Sequence, residues 1–126
     1  MSTSAPGPTK LGVAPNVGGL LCYAPCGIGL IVSVVAVVIE KENRFLRFHA
    51  FQSLLVHAAA FVAWIALWIL VLILSAVATL LGLVGTVLMF VFGVGLLGLV
   101  IVMMIKAYNG EEYALPTIGE MARQWV

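Results

Sequence analysis

Aspartate is absent from this 126-residue chain, and only 9% of its residues are charged, where a soluble domain carries about a quarter. The shortage is also local. No Asp, Glu, Lys or Arg occurs from Ala50 to Ile105, and none from Asn16 to Ile39. With no aspartate, and with every glutamate confined to 40–42 or 111–120, neither a Ser-His-Asp nor a Cys-His-Asn set can be assembled. The chain therefore reads as non-catalytic. Cys22 and Cys26 are too few for a disulfide framework, and no His or carboxylate lies near them in sequence to complete a metal site. A net charge of +1 supplies no field for nucleic acid, which is excluded as a partner.

What the chain does have is apolar surface. Hydrophobic residues make up 63% and mean hydropathy is +1.21, which identifies an integral membrane protein. A helix needs roughly 20 residues to cross ~30 Å of hydrocarbon. The uncharged runs therefore predict an all-α fold with three transmembrane helices at about 17–39, 50–74 and 84–106. The domain plan is a flexible N-terminal tail (1–15), a three-helix domain (16–106) with a cytoplasmic loop at 40–49, and a cytoplasmic or interfacial tail (107–126). Between the second and third helices the only break is the small-residue stretch 75–86. After Pro116, the residues Ile118, Met121, Ala122 and Trp125 share one helical face, predicting a short amphipathic helix at the interface. Lys41, Arg44, Arg47, Lys106 and Arg123 outweigh Lys10, so loop and C-terminal tail are assigned to the cytoplasm and the N-terminus to the outside. Trp64 and Trp68 then read as an aromatic belt near the outer headgroups.

GVGLLG at 93–98 spells a dinucleotide fingerprint, yet it sits in mid-span rather than between a strand and a helix. Its glycines instead suit close helix packing, with Gly82, Gly85 and Gly93 on one face. His49, Gln52, Ser53 and His57 form a polar stripe entering the second helix, where polar groups usually face other helices or a cavity. His49, Gln52 and Ser53, with Arg44 and Arg47, are the candidate contacts to a partner or to lipid. No cofactor is required by the pattern; His57 is the position at which a haem or a chlorophyll-type pigment would be ligated. Loop and tail are further expected to form one polar cap, with Arg44 or Arg47 held by Glu111, Glu112 or Glu120.

NRFLRFHAFQS at 43–53, followed after two helices by KAYNGEEYALPTIGE at 106–120, resembles a widespread family of small bacterial membrane proteins of largely undefined function. The family includes the magnetosome proteins MamF and MmsF and is distantly similar to the Tic-type channel subunit of the chloroplast inner envelope. The resemblance rests on Asn43, Phe45, Arg47, Phe48, His49, Gln52 and Ser53, then Lys106, Ala107, Gly110, Leu115, Pro116, Ile118 and Gly119. It implies a compact helical unit in a bacterial inner membrane, with loop and tail placed together, and names no reaction. The expected role is a structural or accessory subunit in contact with lipid and with other membrane subunits or copies of itself. The rival readings are an oligomeric channel or translocase-like protein, and a cofactor-bearing subunit of an electron-transfer or photosynthetic complex.

Overall fold

The computed structural model describes residues 9–126, which are all-α in their regular structure: α1 (Pro15–Cys22), α2 (Ile28–Ile39), α3 (Arg44–Val77), α4 (Thr79–Tyr108) and α5 (Ile118–Trp125). The first eight residues of the tail expected over 1–15 lie outside the described part. At 34 and 30 residues, α3 and α4 are each long and apolar enough to cross a bilayer. This is an all-α membrane protein with short flanking helices.

The ends of the long helices follow from local chemistry. Asn43 Oδ1 accepts the Leu46 N–H at 3.0 Å, capping one of the amides that the first turn of α3 leaves unpaired. No glycine or proline interrupts the 34 residues that follow. At the end of α4, Gly110 takes φ +78°, and the Gly110 and Glu111 amides bond back to the Ala107 and Lys106 carbonyls. That pair of bonds is the left-handed stop that glycine adopts without strain.

Two compact parts can be described, one made of the residues up to His57 with Val100–Val126, the other of Ala58–Leu99. In the second part, α3 and α4 are joined through Ala78 alone, a tighter break than the 75–86 stretch expected. Gly82 lies against Ser75, a Cβ on Gly85 would stand 3.0 Å from the Val71 side chain, and one on Gly93 3.5 Å from Trp64. All three glycines thus lie against α3. The outward surface is apolar, Phe61, Val62, Leu80 and Phe90 each being more than 60% exposed.

The first part departs from expectation in its opening segment. The single helix expected over 17–39 is two helices, because Pro25 interrupts the run and Cys26 and Gly27 both turn to positive φ, +64° and +82°. Hydropathy sums apolar character and does not register a turn. The 12 residues of α2 rise ~18 Å, short of a full crossing. Lys10, expected on the far side from the loop, donates its backbone N–H to the Glu40 carboxylate at 2.8 Å. Asn16 Nδ2 donates to the Tyr108 carbonyl at 3.0 Å. The start of α1 and the end of α2 therefore meet at the end of this part where α3 begins and α4 stops.

Candidate functional site

The polar stripe of α3 is the centre of the first part. His49, Gln52 and Ser53 are fully buried, with Phe45, Leu46 and Phe48 closing over them from the same helix. An amphipathic stripe buried in a membrane protein needs partners, since an unpaired polar group there costs several kcal/mol. The partners come from both ends of the sequence. Gln52 Nε2 donates to the Tyr23 hydroxyl and to the Tyr113 carbonyl, each at 2.9 Å, and Gln52 Oε1 accepts the Leu115 N–H at 2.8 Å. One amide side chain thus reads a carbonyl and an N–H two residues apart, as a neighbouring strand would.

His49 completes the chain of bonds. Its Nε2 lies 2.9 Å from the Glu111 carbonyl, which can only accept, so the network assigns the ring proton to Nε2. Nδ1, 3.0 Å from the Tyr23 hydroxyl, is then the acceptor for that O–H. The rings of Tyr23, Phe45 and Phe48 stand edge-on to the imidazole at 4.6–5.6 Å. Ser53 and Ser33 both donate to the Cys22 carbonyl, which the end of α1 leaves without a helical donor. Every buried side-chain nitrogen and oxygen among the described residues has a partner.

A second cluster closes the end of this part. Glu40, 2% exposed, accepts the N–H groups of Lys10, Glu42 and Asn43 at 2.8–3.3 Å. Burial alone would raise its pKa; the three amides, led by Lys10, together with the Lys10 charge outweigh that and hold it below the ordinary carboxylate value. Arg47 donates to the Glu40 and Val37 carbonyls at 2.7 and 3.4 Å, at the negative end of α2, and to the Trp125 carbonyl at 3.2 Å. It also stacks over Phe51, whose ring meets Trp125 at 5.8 Å.

Loop and tail therefore do form one cap, but not through the ion pairs expected. The tail's carboxylates are taken by cations nearer in sequence: Glu111 by Lys106 of α4 at 3.2 Å, Glu112 and Glu120 by Arg123 at 3.9 and 3.4 Å. Arg47 is left to bond carbonyls, and Arg44 is exposed. His49, Gln52 and Ser53, expected to touch a partner or lipid, are turned inward onto the chain itself. His57 stands apart from this network's Gln52 and His49; its Nδ1 donates to the Ser53 carbonyl at 2.8 Å, one turn back on α3. No group of three metal-ligating side chains occurs among the described residues.

Two participants escape a reading of the sequence. Tyr23 carries a signal that could have found it, being a phenol inside an apolar run and so in need of a bonded partner when buried. Glu40 reads as the end of a span rather than as an anchor for Lys10, because 30 residues separate the two.

The stripe and most of the tail that it grips lie within residues 9–122, the part of the chain that matches the model of the magnetosome magnetite crystal formation protein family. The chain belongs to the MamF/MmsF family. Two UPF0132 membrane proteins of Methanocaldococcus jannaschii are similar to it. One is 35% identical over 119 residues, 94% of each chain. The other is 34% identical over 115 residues, 91% of this chain and 72% of its own. A UPF0132 membrane protein of Archaeoglobus fulgidus is 31% identical over 111 residues, 88% of this chain and 94% of its own. No solved structure matches. These relatives are archaeal, so likeness to MamF/MmsF proteins does not assign the chain to a bacterial membrane.

Proposed function

We propose that this protein is a non-catalytic structural or accessory subunit of a membrane complex, presenting the charged surface of its loop and tail to a partner subunit. One observation carries the reading: the polar side chains that stand out in the sequence are consumed in holding the tail against α3. Lys41, Glu42, Arg44, Glu120 and Arg123 remain as exposed charge. Under the positive-inside rule that charged surface faces the cytoplasm. Magnetite formation belongs to the family's description; here the tail glutamates that would collect a cation are paired with Lys106 and Arg123.

The channel reading, with its distant likeness to the Tic-type subunit, asks for polar lining, and residues 58–99 offer only Ser75, Thr79 and Thr86 besides indole N–H groups. The pigment reading rests on His57 alone. The test is quantitative co-purification in mild detergent, comparing wild type with the double charge reversal Lys41→Glu, Arg44→Glu. A stoichiometric partner should be lost at least fivefold in the variant at unchanged yield of the protein. A partner indifferent to the reversal, or no partner at all, counts against the subunit reading, and ion flux or a visible absorption band would favour its rivals.

A further inference from the structure

We propose that α1 and α2 form a re-entrant hairpin that enters and leaves the membrane on one side, its exposed apolar face covered by the acyl chains of a single leaflet. The described chain then crosses the bilayer twice, through α3 and α4, and Lys10 lies on the same side as loop and tail. This inference is independent of the accessory-subunit reading.

The base of the hairpin is closed by contacts that a transmembrane span could not make. Lys10 bonds Glu40 through its backbone and approaches Glu42 at 3.9 Å with its ammonium, while Asn16 reaches the carbonyl of Tyr108 at the end of α4. Depth follows from the other end. The Cys22 carbonyl, at the tip, is held by Ser53, nine residues beyond Arg44 on α3. At 1.5 Å per residue that is ~14 Å, about half of a ~30 Å hydrocarbon layer. The return stroke, α2, has 12 residues, against roughly 20 for a crossing.

The tip is built for a place without water. Irregular backbone at membrane depth must satisfy its own amides. Tyr23 and Ala24 donate to the Leu20 and Leu21 carbonyls, and Gly29 donates to Ala24. The hairpin closes so tightly that a Cβ on Gly29 would meet the carbonyl oxygens of Cys22 and Ala24 at 2.6 Å. Gly29, Ser33 and Ala36 make the buried face of α2. Ile28, Ile31 and Val38 on the other are 53–66% exposed, an apolar surface of the same kind as Ile101, Val102 and Ile105 present on α4 in the same part. Lipid is therefore the occupant. Charge agrees: two crossings put all six Lys and Arg residues on one side, where three would isolate Lys10.

The experiment uses the full chain in native membranes and a membrane-impermeant maleimide, applied to sealed right-side-out and inverted vesicles, with labelling after SDS as the reference. In a Cys22→Ala background the native Cys26, exposed at the tip, reports depth; Lys10→Cys, Ala78→Cys and Gln124→Cys, each with Cys26→Ser in the same background, report sides. The expected result is that positions 10 and 124 label from one side and position 78 from the other, each at least tenfold over the opposite face. Cys26 should label from neither face. Labelling of position 10 together with position 78, or of Cys26 from either face, overturns the hairpin. In proteoliposomes of purified protein, bimane on Cys26 should be quenched at least twofold more by lipid spin-labelled deep in the acyl chain than by lipid labelled at the headgroup. Equal or reversed quenching overturns the proposal, since the tip would then lie at the surface or under protein.

Discussion

α3 runs through two different kinds of packing without a break in its helix. From Arg44 to His57 its side chains are mostly buried, and Phe45, Leu46, Phe48, His49, Gln52 and Ser53 are enclosed by the chain's own ends. From Ala58 onward large apolar side chains point outward, and Trp64 meets Phe92 at 6.0 Å as one of few ring contacts. The difference teaches where this fold stores specificity. Apolar surface facing acyl chains is satisfied in many arrangements, whereas a buried amide or imidazole is satisfied in very few. Residues 9–57 with 100–126 should therefore be intolerant of small changes that residues 58–99 absorb.

The largest contrast should come from a single methyl group. Gly29→Ala drives a Cβ to 2.6 Å from two backbone carbonyls, which cannot move without opening the turn, and should cost upwards of about 3 kcal/mol. Gly95→Ala meets nothing within 4 Å and gains helix propensity, so its effect should stay within about 0.5 kcal/mol. Unfolding in mixed micelles, followed by tryptophan fluorescence, measures both. Equal costs would erase the distinction between the two parts.

Next in size is Gln52→Leu, close in volume but unable to bond. It strands the Tyr113 carbonyl and the Leu115 N–H, and a buried group left unpaired costs roughly 1–3 kcal/mol, so about 3 kcal/mol in all is expected. The tail should become a substrate for protease in intact membranes, cut at 109–117, while insertion is unchanged. A tail as resistant as wild type would mean that Pro116, Ile118 and Trp125 hold it without Gln52.

How far the sequence foretold this depends on the range of each interaction. Two spanning helices are legible because the absence of charge from Ala50 to Ile105 is a local fact. The face shared by His49, Gln52 and Ser53 is legible for the same reason, from spacing alone. What reaches that face is not, because Leu115 lies 63 residues from Gln52 and nothing in either stretch names the other. The single helix expected over 17–39 is broken for a different reason: Pro25 and Gly27 are turn signals that an apolar run masks.

A pH dependence should appear in the first part through Glu40. Its folded pKa is depressed, so the stability it contributes is fully present above the unfolded value of about 4.3, shrinks as pH falls below that, and is gone once pH passes the folded value. Glu40→Gln keeps the shape and loses the charge. The Tm advantage of wild type over this variant should be constant at neutral pH and close as the solution is acidified towards pH 3. A gap that widens in acid would mean that the carboxyl is destabilising as an anion.

The smallest effect should come from removing a hydroxyl in the second part. Thr86 Oγ1 donates to the Gly82 carbonyl one turn back on its own helix, at 2.9 Å. That carbonyl lies inside α4, where the helical ladder supplies a donor in any case, so Thr86→Val strands nothing and a methyl replaces the hydroxyl at the same branch point. Its cost should lie within about 0.5 kcal/mol. Ser53→Ala removes the same kind of bond, hydroxyl to carbonyl, in the first part. There the acceptor is the Cys22 carbonyl at the end of α1, beyond the reach of a helical donor and left with Ser33 alone. A cost of about 1–2 kcal/mol is expected, because the hydroxyl is buried and its bond joins two elements rather than one turn to the next. Measured side by side, the two variants isolate burial and reach from chemistry. If Thr86→Val proved as costly as Ser53→Ala, the hydroxyl of Thr86 would have to be serving a partner of residues 58–99, and those residues would no longer be the permissive half of the fold.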